Sequence, residues 1–237
     1  MQGIEKDKAA LAWLAGAWDP YLAALPRLLP VLLAQAAITA GSLALVKAYG
    51  SLVPAGLYAA LVITPVSTGS ALVYITVARG GQARLGDLFS AFPIYPRALA
   101  VGLGLGLLTL AGLLAFVLPG AVIYLTYCFS EYFVVDKRTS VKDSFLLSRA
   151  LTYGWRTRLL PIALLALLVS VLAPEIAVIQ DPFNNPSVAL NFGAWNVVSF
   201  VLKNFVFLPW LSLAMARAYV YLLAAPSGPA AGGGEDA

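Results

Sequence analysis

Along this chain, apolar positions run in long uninterrupted stretches, broken by short clusters of proline, glycine and charge. A helix needs about 20 mostly apolar residues to cross a bilayer, and the pattern predicts six such helices. They fall at about 28–46, 52–77, 98–118, 121–135, 155–173 and 197–223. The third is expected to end at the turn dipeptide Pro119-Gly120, with the fourth following at once. The fold class expected is therefore all-α and polytopic: six transmembrane helices in three hairpins, each preceded by an interfacial amphipathic helix. Residues 1–225 read as a single integral membrane domain and the Gly/Ala/Pro-rich stretch 226–237 as a disordered tail. Residues 1–27 read as an N-terminal interfacial segment, with Trp13 and Trp18 at headgroup level. The alternative there is a cleaved signal peptide, since Lys6 and Lys8 precede an apolar run and Ala15-Gly16-Ala17 is a small-residue site.

Composition supports the membrane assignment. Hydrophobic residues make up 61% of the chain and charged ones 11%, less than half the roughly 25% of soluble domains. The charges are also unevenly placed. Lys6, Lys8 and Arg27 precede the first span; Arg79, Arg84 and Arg97 lie between spans two and three. Lys137, Arg138, Lys142, Arg149, Arg156 and Arg158 lie between spans four and five, and Arg217 ends span six. The opposite side holds Lys47 and Lys203, with Glu175 and Asp181 in a loop free of Lys and Arg. By the positive-inside rule, both termini are expected in the cytoplasm. The net charge of +4 thus reads as topology and lipid headgroups rather than nucleic-acid binding.

A repeat runs through this map. Asp87 and Phe89 before span three have the same spacing as Asp143 and Phe145 before span five. Three parallel hairpin units would account for it, as would independent use of a polar-then-apolar pattern.

Candidate chemistry is sparse. The chain has no histidine and one cysteine, Cys128, in an apolar run without metal-ligand spacing. No catalytic residue, cofactor site or metal site is expected. Glu131 stands inside span four, where an ionised carboxylate facing lipid is costly. Its readings are an ion or proton site, or else a structural ion pair with Arg79 or Arg149 or a boundary residue; the structural readings are favoured, because no second intramembrane carboxylate accompanies it. Asp136 follows near the cytoplasmic end. In residues 139–154, Ser140 and Asp143 fit a capping box, Gly154 a helix stop, and Ser144, Ser148 and Thr152 a small-residue stripe. Lys142 and Arg149 fall on another face, suited to anionic headgroups or simply to docking beneath the bundle. Pro65 and Pro209 are expected to break their spans, with nearby Ser and Thr satisfying freed backbone groups. Gly102 and Gly106 have the spacing of close helix packing, not of a nucleotide-binding fingerprint.

Taken in order, Arg79-Gly80, Asp87-Leu88-Phe89, Leu118-Pro119-Gly120, Phe133 to Lys137, Asp143 to Arg149 and Tyr153-Gly154 form a recognisable series. Over residues 28 to 222 it resembles the prokaryotic YciC-like proteins and the membrane domain attached to some glycerophosphoryl diester phosphodiesterases. The resemblance implies a six-span membrane protein of a family mostly without assigned function, located in the plasma (inner) membrane of a prokaryote. It brings no phosphodiesterase activity, since a histidine-dependent mechanism is closed to a chain without histidine. The function expected is a non-enzymatic membrane module: accessory, scaffold or lipid-interacting. Its partners would be membrane lipids or another membrane protein. The alternative is a small-solute or ion transporter or channel using the Pro-broken spans and Glu131. Oligomeric state is left open.

Overall fold

The computed structural model describes residues 9–224; the expected tail at 226–237 and the lysines Lys6 and Lys8 lie outside these. Ten α-helices follow one another. They are α1 (Ala9–Tyr49), α2 (Leu52–Tyr58), α3 (Thr64–Ala78), α4 (Tyr95–Ala115) and α5 (Val117–Tyr127). Then come α6 (Ser130–Lys137), α7 (Val141–Thr152), α8 (Arg156–Leu172), α9 (Ala194–Leu202) and α10 (Leu208–Ala224). A small antiparallel ladder, β1 (Ala177–Gln180) with β2 (Ser187–Leu190), closes the loop after α8. Five helical stretches are long and apolar enough to cross a membrane, and six if α7 and α8, bent by 108°, count as one. This is an all-α polytopic membrane protein.

Two predicted boundaries move. The N-terminal segment is not a separate interfacial helix, because α1 is continuous for 41 residues through Pro20, Pro26 and Pro30, roughly 60 Å. Residues 13–21 of α1 lie along α10. Trp13 stacks near Tyr221, the indole of Trp210 donates to the Leu14 carbonyl, and Tyr21 donates to the Phe205 carbonyl. Trp13 is accordingly buried between helices. Packing against a neighbouring span holds together a helix that three prolines would otherwise interrupt. The corner of the second hairpin is likewise not at Pro119-Gly120 but at Phe116, which is extended (φ −167°, ψ 156°). Pro119 sits in the first turn of α5, where a missing N–H costs nothing. Gly112 and Gly120 permit the tight return: a Cβ at Gly112 would come within 2.8 Å of the Gly120 Cα, and one at Gly120 within 2.8 Å of the Leu113 backbone nitrogen.

The interfacial elements also differ from one unit to the next. Before α4 the chain makes two 3-10 turns, Leu85–Phe89 and Phe92–Ile94, whereas before α8 it makes the amphipathic helix α7. Asp87 and Asp143 therefore occupy unlike structures despite their shared spacing.

Most of the expected features of α7 are present. Ser140 accepts from the Asp143 N–H at its N-terminus, although the Asp143 carboxylate accepts from the Ser140 hydroxyl rather than from backbone. Gly154, at φ 75°, turns the chain toward α8. Ser144, Ser148 and Thr152 are fully buried. Ser148 donates to the Thr126 carbonyl (3.0 Å) and accepts from the Phe129 N–H (3.2 Å); Thr152 also donates to Thr126 (3.1 Å). The stripe thus satisfies backbone groups at the break between α5 and α6. Replacing Ser148 by Leu overfills this contact and removes both bonds, so stability in detergent should fall by about 2–3 kcal/mol. Leu146→Ser, on the exposed face, should change it by less than about 0.5 kcal/mol; equal losses in thermal melts would refute the packing role.

Gly102 and Gly106 do not act together as a packing pair. A Cβ at Gly102 would meet Thr64 and Glu131, while the space beside Gly106 is open.

Candidate functional site

The second helix of the first and third hairpins is broken in the same way. Five-residue π turns, Ala59–Ile63 and Lys203–Phe207, each end directly before an Xaa-Pro pair, Thr64-Pro65 and Leu208-Pro209. In each, the residue before proline donates its N–H five residues back, Thr64 to Ala59 and Leu208 to Lys203. Proline donates none, so it frees carbonyls on the preceding turn. A tyrosine from another helix takes one of them in each case. Tyr95 donates to Ala60 (3.4 Å) and Tyr21 to Phe205. Thr64 at the first break also donates its hydroxyl to the Ala59 carbonyl (3.1 Å), as a nearby threonine is expected to do; the sequence signalled the breaks but not the two tyrosines.

Beside these breaks lie two cavities. The larger, about 660 Å³, runs between α1, α3, α9–α10 and the β-ladder. Gln35, Thr39, Asn204 and Glu175 contribute its polar groups, and Pro209 is part of its wall. The smaller, about 350 Å³, lies among α3, α4, α5, α6, α8 and α10, with Glu131 in its lining. Ser67, Ser70, Tyr74, Leu208 and Ser212 line both, so the two adjoin. Together they extend from the β-ladder to Glu131.

Glu131 does not form the expected ion pair. Arg79 instead holds Asp136 with two parallel bonds, 2.5 and 2.7 Å. Tyr219 donates to the same carboxylate at 3.1 Å. Arg149 is exposed on α7 and pairs with no acid among the described residues. The Arg79–Asp136–Tyr219 cluster ties the ends of α3, α6 and α10 together about one turn beyond Glu131. The Asp136 side chain is only 5% exposed, and Tyr219 is buried against Phe129, Tyr132 and Phe133. The carboxylate and the phenol are thus shielded from solvent.

At the other end, Lys203 within the π turn is buried, donates to the Ser170 carbonyl (3.0 Å) and pairs with Glu175. Sequence reasoning placed both residues on the same side but had no signal for their pairing, since they are 28 positions apart.

Glu131 therefore faces a cavity with no hydrogen-bond or ionic partner among the described residues. Asp87 and Asp143 lie away from it, on the 3-10 turn and α7. Among the described residues no group of three or more His, Cys, Asp and Glu is arranged to hold a metal. No family model, curated protein or solved structure matches the chain.

Proposed function

We propose that this chain is a small-solute transporter of the membrane, the alternative of the two functions expected from sequence. The observation that carries the reading is Glu131: an acidic side chain inside the bundle, without an ionic partner among the described residues, facing a cavity that adjoins a second one between two proline-broken helices. Ionisable residues within spanning helices are costly and mark solute or ion pathways, and broken helices form the sites of many transporters. The Arg79–Asp136–Tyr219 cluster would then be the closed gate on the basic side. With both termini inside, as the charge asymmetry implies, a multi-pass protein would present this cavity to the outside; a prokaryotic plasma membrane rests on the resemblance to YciC-like proteins. That resemblance belongs to the same proposal and concerns architecture and location alone.

A lipid-contacting or scaffold role has one observation in its favour. On α7, Lys142 and Arg149 are exposed together with Leu146 and Leu147, the composition of a helix lying on an anionic leaflet. That surface would orient the bundle without using the cavity.

Proteoliposomes separate the two roles. Uptake should be followed for radiolabelled small cationic, neutral and anionic solutes. At least one class should enter faster than into empty liposomes, and Glu131→Gln should reduce that rate tenfold or more. Asp87→Asn, away from the cavity, should leave it unchanged. Uptake indistinguishable from empty liposomes for every class would dismiss transport and leave the scaffold role.

A further inference from the structure

We infer that the cavity at Glu131 takes a small organic cation, an alkylamine or quaternary ammonium with an apolar body; the inference rests on the transport reading for its purpose but not for its chemistry. Three tyrosines, Tyr74 on α3, Tyr124 on α5 and Tyr132 on α6, line the cavity together with Glu131, Cys128 and Met215. None of the three phenol hydroxyls has a hydrogen-bond partner among the described residues. Aromatic faces attract cations, most strongly where water is displaced, and recognition of quaternary ammonium groups uses such rings. Met adds a polarisable surface that adapts to an alkyl body.

Other ligand classes fit less well. An anion would meet the Glu131 carboxylate with no lysine or arginine in the lining. A hard metal ion seeks six or more oxygen ligands, against one carboxylate and a few scattered hydroxyls here. Sugars require a dense set of polar groups, whereas this wall is mostly Leu, Ile, Ala, Met and Tyr. The volume, about 350 Å³, lies at the lower end of the range for small-ligand sites. The larger cavity offers an approach lined by Gln35, Thr39 and Asn204 without a cation to repel the ligand; Lys203 nearby is neutralised by Glu175.

Calorimetric titration of the purified chain in lipid nanodiscs tests this, with tetraethylammonium as probe and the neutral analogue 3-ethyl-3-pentanol as control. The cation should bind with one-to-one stoichiometry and at least tenfold more tightly than the neutral analogue. Glu131→Gln should weaken the cation tenfold or more and leave the analogue unchanged. Tyr124→Leu should weaken the cation severalfold, while Tyr124→Phe, which keeps the aromatic face, should not. Equal affinity for the two probes on the wild-type chain would overturn the inference whether or not any variant folds. So would cation binding indifferent to Glu131, or no cation binding at all. The uptake assay distinguishes this failure from the broader one. Glu131-dependent uptake of another class without tetraethylammonium binding sinks the cation assignment and keeps transport. Binding with the stated dependence but no uptake keeps the assignment and sinks transport.

Discussion

Replacing Gly69 by Ala should destabilise the bundle by about 3 kcal/mol or more, the largest effect expected of any single methyl group here. A Cβ at this position would lie 2.0 Å from the Leu88 carbonyl oxygen and 2.8 Å from its carbon. Those atoms are backbone and cannot rotate away. The 3-10 turn Leu85–Phe89 must therefore lift off α3, taking fully buried Leu88 and Ala91 from their contacts. Gly106→Ala is the matched control: a Cβ there meets nothing within 4 Å, and helix propensity favours Ala. Thermal melting in one detergent should show a large loss for the first and none for the second. Similar melting temperatures for the two would mean that the turn does not sit against α3.

Arg79→Ala should cost about 2–3 kcal/mol. Removing one member of a well-buried ion pair costs about 3–5 kcal/mol. The lower figure applies because Arg79 is 39% exposed while Asp136 is 5% exposed, so solvent already screens one partner. The remaining carboxylate keeps the bond from Tyr219 and a distant Lys137 at 3.8 Å. Tyr219→Phe, which removes one bond to a charged acceptor, should cost about 1.5 kcal/mol. The double change Arg79→Met with Asp136→Leu should recover part of the Arg79→Ala loss, because no buried charge is left unmatched. If the double variant falls below the wild-type chain by the full sum of the Arg79→Met and Asp136→Leu losses, the pair is not coupled as described.

Features with a local cause were legible in the sequence. The Ser144, Ser148 and Thr152 spacing gave the docking face of α7, Ser140 its start, and Gly154 its stop, because helix periodicity and backbone geometry act over a few residues. Pro65 and Pro209 marked the broken helices for the same reason. What failed to show was whatever depends on distant partners. Asp136 lies 57 positions from Arg79 and 83 from Tyr219, and without those distances Glu131 looked like the more natural mate for an arginine. The continuity of α1 through Pro20 depends on α10, nearly 200 residues away. Pro119-Gly120 misplaced a corner by a few residues because proline suits the start of a helix as well as a turn. The cavity at Glu131 was out of reach altogether, since six helices assemble its wall.

Solute transport requires that this cavity be reached from outside, and thiol labelling measures that access most directly. In a Cys128→Ser background, which removes the sole cysteine, Ser212→Cys would place a thiol where the two cavities adjoin. Asp181→Cys, beside the β-ladder, reports the sidedness of the reagent. A small charged methanethiosulfonate reagent added outside intact cells should modify both positions, and only the Asp181→Cys thiol should react equally fast when tetraethylammonium is present. Modification of Asp181→Cys with no reaction at Ser212→Cys would contradict a solute path from the β-ladder side to Glu131.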